Sequence, residues 1–409
     1  MTERLYYRHG DLDVFDARIL SIKEARGSRA IELDRTAFYP SSGGQPHDTG
    51  RLGEASVISV EVVANNVWHT VVGGTFEVGQ TVCGRVDRER RIDHTQQHSA
   101  QHVLSAAFES VANLHTVSFH LGTDVSTIDL DQPTITPTVL TKAEHLAQSV
   151  VFENRPVLVH YLDSIDLDQA TLRKVTERLG TVRIVEIADF DRSACGGTHV
   201  GRTGQIGPIK IRRTERRGST TRVEFLAGWR ALKDYSDRLQ ITRAIADQLS
   251  AKDTDIGQAV RKVLAELSAL RVQSERLQEA LLSVEADELA RTSTGLSTNS
   301  HICLVRQSYV NRSPTELKLL ALRLVTNGLV VAILGTTAAT TSLVFAQSDG
   351  LPFEMNGILR DVVAGFGGRG GGTRNVAQGG GPPTQSLDEI LDRAVALLRT
   401  RCTLLPNVP

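Results

Sequence analysis

The chain has 409 residues, 23% of them charged, with a formal net charge of −1. That length supports two or three domains with cores of their own. The balanced charge excludes a globally basic nucleic-acid binder, so any such surface must be a local patch.

Cys83, Cys195, Cys303 and Cys402 are too scattered for a disulfide framework and suit a reducing cytosol. The N-terminus carries Glu3, Arg4 and Arg8 and no apolar run, so it reads as no signal peptide, and no stretch is long and apolar enough to span a membrane.

Residues 1–90 read as β. The β-branched runs Val57–Val63 and Val67–Val72 flank Asn65-Asn66 as a hairpin turn, and a small barrel or curled sheet is expected. Between strands lies Asp34–Gly50, where Tyr39-Pro40 and Gly43-Gly44 make a turn-rich loop. Glycines there let a ligand approach the backbone, although spacing alone describes an ordinary connection equally well.

Residues 91–227 carry the chemistry. In the helix that begins near Asp93, at about 100° per residue, Ala100, Val103, Leu104, Ala107, Phe108 and Val111 form one apolar arc. His94, His98 and His102 fall nearly opposite, so they face a cleft, a second layer or water. Far downstream, Cys195 and His199 are also four apart, with two glycines and a threonine between them, which favours a loop. Imidazole and thiolate donors suit zinc rather than magnesium or calcium. Nothing in the spacing alone forces the two halves together.

Val117–Gly122 and Ser126–Leu130 read as paired strands, Thr141–Glu144 as a capping box opening a helix, and Val182–Ile187 as the strand that delivers the Cys195 loop. Arg202, Lys210, Arg212, Arg213, Arg216 and Arg217 oppose one acid, Glu215, a local balance of +5 (six minus one). That stretch is either a phosphate-contacting surface or a solvated strand face.

From 228 to 292 the pattern changes. Ile256, Val260, Val263, Leu267, Leu270, Leu277, Leu281 and Val284 alternate in steps of four and three, interrupted at Ser274, which is a heptad seam. It pairs either with the helix at 229–249 or with another subunit.

Residues 293–409 read as an α/β domain. Ile302–Val305, Leu329–Leu334 and Leu343–Ala346 are short buried strands. Ser313-Pro314-Thr315-Glu316 opens one helix and Ser386–Glu389 another. Nine of the seventeen residues from Gly365 to Gly381 are glycine, with Arg369 and Arg374 among the rest. A loop of that kind wraps a phosphate or sugar backbone, or is simply a flexible surface loop. No Gly-Lys-Ser/Thr follows, so it is not a Walker A loop.

Taken together, His98-x-x-x-His102 followed by Cys195-Gly-Gly-Thr-His199 resembles the editing domain of alanyl-tRNA synthetase, and in particular its free-standing relatives, the alanyl-tRNA editing proteins (AlaX family, long form). The threonyl-tRNA synthetase editing domain shares the outline. Thr36–Gln45 and the closing strand Arg222–Gly228 resemble the family too, although Ser42 stands where the family loop often has a third glycine. The glycine-rich terminus resembles the synthetase's C-terminal domain, a relative of DHH-type phosphoesterases, without the DHH catalytic motif.

The resemblance implies an α+β multidomain chain. Its parts would be an N-terminal β-barrel-like domain (1–90), an α/β zinc-dependent editing domain (91–227), a helical coiled-coil spacer (228–292) and a C-terminal DHHA1-like tRNA-binding domain (293–409). It implies Zn2+ on His98, His102, Cys195 and His199. His98, His102, Cys195, Thr36 and Gln45 would be catalytic, and Thr36, Gly43, Gly44, Gln45, His120, Arg369 and Arg374 would contact substrate.

With no aminoacylation domain ahead of the β region, the expected activity is removal of serine or glycine from mischarged tRNA(Ala) in the cytoplasm. The acceptor end would lie at the editing domain and the tRNA body at the C-terminal domain. The coiled coil and the C-terminal domain each offer a surface for a homodimer.

Four protein ligands close a zinc tetrahedron. Either one ligand is loose, or the metal expands to five, or it orients substrate rather than water. Asp93 and Asp191 are the nearby carboxylates, each as a base or as a supporting residue. The competing reading is a non-catalytic tRNA-binding protein with structural zinc. A zinc peptidase is disfavoured because Ser99-Ala100-Gln101 lacks the His-Glu-x-x-His glutamate.

Overall fold

A computed structural model describes residues 2–8, 10–25, 27–165, 172–174, 176, 179–296, 301–326, 328–383 and 386–403. The chain divides into two compact units, 1–248 and 249–409.

The first unit opens with a closed barrel of β1 (Val14–Ala25), β2 (Ser28–Leu33), β3 (Gly50–Leu52), β4 (Ala55–Val63), β5 (Asn66–Val72) and β6 (Thr81–Val86), in the order β1-β2-β5-β4-β3-β6. Alternate residues fill it: along β4, Ala55, Val57 and Val60 are buried, with Ile31 and Leu33 from β2. The β4–β5 turn falls one residue earlier than the sequence suggests. Val63 pairs with Asn66, and Ala64 and Asn65 take positive φ (49° and 69°), which an asparagine tolerates.

Asp87 then caps α1 (Arg88–Ala112), accepting from the Arg90 amide. This helix is buried from His94 to Phe108, on the polar side as well as the apolar one. Its apolar arc joins α2 (Pro137–Phe152) and the sheet of β7 (Thr116–Leu121), β8 (Ser126–Leu130), β12 (Ile209–Arg217) and β13 (Thr220–Ala227), ordered β12-β13-β8-β7.

The second, smaller sheet is β9 (Val157–Asp163), β10 (Thr181–Ile187) and β11 (Asp191–Ala194). The Cys195 loop leaves from β11, one hairpin later than the strand to which the sequence assigned it. α3 (Gly228–Gln248) closes the unit.

α2 starts before the expected capping box. Thr136 caps it and Pro137 occupies the first turn, where a missing N–H costs nothing. Glu144, read as the box's acid, instead accepts from Lys210 Nζ and the Ile211 amide.

Four of the six basic residues of the 202–217 stretch are ion-paired. Lys210 pairs with Glu144, Arg212 with Glu224 and Asp234, Arg213 with Glu224, and Arg217 with Glu215. The solvated-face reading of that stretch is the one this geometry favours.

In the second unit α4 (Ile256–Arg291) precedes β14 (Cys303–Val310), α5 (Pro314–Leu324), β15 (Val330–Thr337), β16 (Thr341–Gln347) and α6 (Met355–Val363). β17 (Arg369–Gly372), β18 (Val376–Gly381) and α7 (Leu387–Thr403) follow. The sheet order after the short strand Thr294–Gly295 is β14-β15-β16-β18-β17. Ser313 and Glu316 form the reciprocal cap foreseen for α5.

The glycine-rich stretch is not a loop. β17 and β18 form a hairpin edge, and glycines are needed because the chains come close: a Cβ at Gly380 would lie 2.3 Å from the Thr341 carbonyl oxygen. Only the C-terminal end of α4 packs on its own unit, through Leu282 and Ala286. Val263, Leu270 and Leu281 of the heptad seam are exposed.

Candidate metal centre

His98 and His102 lie one turn apart on α1, and the loop after β11 brings Cys195 and His199 against them. The four donor atoms, one from each side chain, all fall within 4.8 Å of one another. The two halves, 93 residues apart from His102 to Cys195 in the sequence, are one site.

Cys195 Sγ lies 3.3 Å from His98 Nε2 and 3.3 Å from His199 Nε2. Ligand atoms around a tetrahedral zinc are about 3.3–3.7 Å apart, so these two separations suit that ion. Gly197 is required here, because a Cβ would fall 2.1 Å from His98 Cε1.

Supporting bonds fix the rings of His98 and His102. His98 Nδ1–H donates to Gln45 Oε1 at 2.8 Å, leaving Nε2 toward Cys195. The same Gln45 oxygen accepts from the Thr198 amide, and Gln45 Nε2 donates to Thr198 Oγ1. His102 Nδ1–H donates to Asp191 at 2.8 Å, and Asp191 is itself held by Arg173 and Ser193. Such carboxylate–histidine pairs orient metal-ligating imidazoles. His199 has only a long 3.4 Å contact to Ser99 Oγ. Arg183 donates to the Cys195 and Gly197 carbonyls and shapes the loop.

Burial opposes charge here, and the neighbours decide. It would push the Cys195 thiol up, but His98 and His199 and the bonds from His102 and His199 hold it well below its ordinary range, as a thiolate. Burial likewise works against charge on His102, yet Asp191 and Cys195 raise it to about 9. Burial takes His199 down to about 3 and keeps it neutral. Asp191 is lowered despite burial, by His102 and Arg173. A thiolate and imidazoles, two of them with their second nitrogens held by short bonds, are a soft, preorganised donor set.

The other sequence-derived residues separate into groups. Gln45 is at the centre, but as the residue that orients His98. Gly43 and Gly44 take positive φ (54° and 78°) in a two-residue turn closed by reciprocal Ser42–Gln45 backbone bonds. Gly44 faces the Phe119 ring, which a Cβ would approach to 2.7 Å. Thr36 is fully buried, bonded to His69 Nε2 and the Phe38 amide.

His120 is exposed and lines a different depression with Arg213 and Arg222. Its neighbour Phe119 is the residue beside His98, at 5.9 Å between ring centres, because successive strand residues face opposite ways. Asp93 pairs with Arg230. Arg369 and Arg374 belong to the second unit, both exposed, with Arg374 donating to the Phe353 carbonyl. Phe119, Thr198, Arg183 and Arg173 are site residues that the sequence reading did not single out. Only Thr198, inside the Cys-Gly-Gly-Thr-His string, carried a local signal.

The barrel, the glycine turn and the His–Cys cluster point to tRNA synthetase editing modules, and comparison with known proteins agrees. Residues 182–224 match the family described as threonyl and alanyl tRNA synthetase second additional domain, and residues 13–90 match tRNA synthetases class II (A).

Over nearly its whole length the chain is similar to the alanyl-tRNA editing protein AlaX-L of Pyrococcus horikoshii, 28% identical across 98% of this chain and 99% of that protein. It is also similar to alanine–tRNA ligases of Methanoregula boonei (32%, 98% of this chain) and Pyrococcus abyssi (30%, 97% of this chain), and spans 44% of each ligase. The resemblance drawn from the motifs is therefore carried along the chain.

Proposed function

We propose that this chain is a trans-editing hydrolase that deacylates mischarged tRNA(Ala), chiefly Ser-tRNA(Ala) and also Gly-tRNA(Ala). The observation that carries the reading is the convergence of His98, His102, Cys195 and His199, with Cys195 and His199 inside the segment that matches the threonyl and alanyl tRNA synthetase second additional domain.

Zn2+ on these four residues would supply a Lewis acid for the ester carbonyl or for water. Gln45 and Asp191 orient His98 and His102, Arg183 and Gly197 hold the Cys195 loop, and Gly43-Gly44 let an aminoacyl group come close to the backbone. Thr36 contacts the serine hydroxyl. The hydrolysis needs no ATP, and its role is translation fidelity in the cytoplasm. The unit from 249 onward, with Arg369 and Arg374 on its edge, binds the tRNA body. Self-association along the exposed α4 seam belongs to the same reading.

A second reading rests on one observation: four protein donors complete a tetrahedron, the pattern of structural zinc. The chain would then be a tRNA-binding protein without turnover.

The test is serine release from Ser-tRNA(Ala) beside Ala-tRNA(Ala), with and without a chelator, together with Cys195→Ala. Fast serine release that falls on metal removal, and a folded but inactive Cys195→Ala, support the hydrolase. Tight tRNA binding without release, and unfolding of the variant, support the second reading.

A further inference from the structure

The four donors of the His–Cys cluster are not held alike. His98 and His102 stand on α1, are 1% and 4% exposed, and each passes Nδ1–H to an acceptor at 2.8 Å, Gln45 and Asp191 respectively. Cys195 follows directly on β11, and Arg183 donates to its carbonyl and to that of Gly197. His199 is the exception. It lies in irregular backbone and is half-buried, and its Nδ1 has only Ser99 Oγ at 3.4 Å, an oxygen that also accepts from the Val200 amide. The acceptor on the second nitrogen is what fixes a metal-bound imidazole, and lacking it weakens metal binding by about 10–100-fold.

The His199 ring is loosely held, but its backbone is not. The Thr198 amide donates to Gln45 on one side of it and the Val200 amide to Ser99 on the other. A departure of His199 is therefore a side-chain rotation that leaves the Cys195 loop in place. There is room for it. His199 lines a cavity of about 650 Å³, walled also by Thr95, Arg183, Tyr6 and Tyr7, and of the four donors it alone is among the described residues of that wall.

This asymmetry bears on a conflict within the centre. Four protein donors complete a tetrahedron, whereas a metal that acts on a substrate needs a position open to it. We infer that His199 is the exchangeable donor. Its ring turns into the cavity, and the position it leaves opens on the same cavity, where an oxygen donor from water or substrate enters. One metal–nitrogen bond gives way to one metal–oxygen bond, with no electron transferred and no proton required. The use made of that position rests on the hydrolase reading; the lability of His199 does not.

The test uses the full chain loaded with zinc, its histidine nitrogens isotopically labelled, and serine hydroxamate as the oxygen-donor probe. The nitrogen chemical shift separates a metal-bound Nε2 from a free one, and His199→Gln identifies the signal. On addition of the probe, His199 Nε2 should move to its free position while His98 and His102 stay metal-bound and the zinc content stays constant. A second measurement needs no probe. In competition with a chromophoric chelator, His199→Ala should hold zinc about tenfold more weakly than the parent, and His98→Ala and His102→Ala about a thousandfold more weakly.

The inference falls if His199 stays metal-bound at every concentration of the probe, or if the three alanine variants lose zinc affinity alike. Serine release by the parent under either outcome leaves the hydrolase standing, with a metal that keeps all four protein donors. If His199 leaves the metal yet the parent releases no serine, the labile donor stands and the hydrolase reading falls.

Discussion

What Thr36 can offer a ligand is decided by His69. His69 Nδ1 lies 3.0 Å from the Ile31 carbonyl, which can only accept, so that nitrogen carries the proton. Nε2 is then an acceptor, and the Thr36 hydroxyl must donate to it at 2.8 Å. The Phe38 amide donates to Thr36 Oγ1. What remains on Thr36 is an acceptor, suited to a hydroxyl donor and useless to a methyl group. On the proposed serine contact, Thr36→Val should narrow the preference for seryl over alanyl ester by roughly tenfold or more, read from the ratio of kcat/KM values. An unchanged ratio would remove Thr36 from the pocket.

The arrangement also fixes a pH dependence. Burial takes His69 from 6.5 down to about 4, so the unfolded chain takes up the proton first as the medium is acidified. The stability tied to this ring is whole above about pH 6.5 and is lost between about 6.5 and about 4, roughly 3 kcal/mol in all. Urea midpoints near neutrality and near pH 5 should therefore differ less in His69→Gln than in the parent. Equal slopes would mean that His69 titrates normally.

At this scale the sequence was most legible where chemistry is local. Cys195 and His199 share one short string and His98 and His102 one helix face, whereas His69 behind Thr36, and Tyr6 and Arg183 beside the cluster, are brought in by strand pairing.

At the scale of elements, α1 is tied to the barrel's long connection by one buried cluster. Arg91, 5% exposed, donates to the Asp48 carboxylate and to the Gly10 and Ala37 carbonyls, and Asp48 also accepts from the Tyr39 amide. This clamp fixes the start of the histidine helix against the loop that carries Gln45. Arg91→Met should cost about 3–5 kcal/mol, since it strands a buried carboxylate, and Asp48→Leu in the same chain should recover part of the loss. Denaturant unfolding of the single and double variants measures both, and a loss under about 1 kcal/mol for Arg91→Met would show that the pair holds nothing.

Helices and strands themselves were legible from periodicity. Their faces and charges were less so, because partners come from far away. The acids that neutralise Lys210, Arg212 and Arg213 include Glu144 and Asp234, outside any window counted around them. A shift of one residue along β7 exchanges His120 for Phe119 at the site. Glycine density signalled a loop at 365–381, where the backbone instead pairs as a hairpin too crowded for side chains.

At the scale of the molecule, the cluster, its supporting residues and the cavity all lie within 1–248, while the glycine-rich hairpin and the free α4 seam lie within 249–409. Each unit has its own apolar cores. On the proposed function, the chemistry and the grip on the tRNA body should therefore be separable. A fragment spanning 1–248 should fold, hold one equivalent of zinc, and release serine from a short seryl-acceptor stem with kcat close to that of the full chain. On full-length Ser-tRNA(Ala) the same fragment should lose about a hundredfold in affinity, because two linked contacts become one, and KM should carry nearly the whole effect. A fragment as tight as the full chain would take the second unit out of tRNA binding. One that binds zinc but has lost kcat would place part of the reacting geometry beyond residue 248, against the confinement of every supporting bond to the first unit.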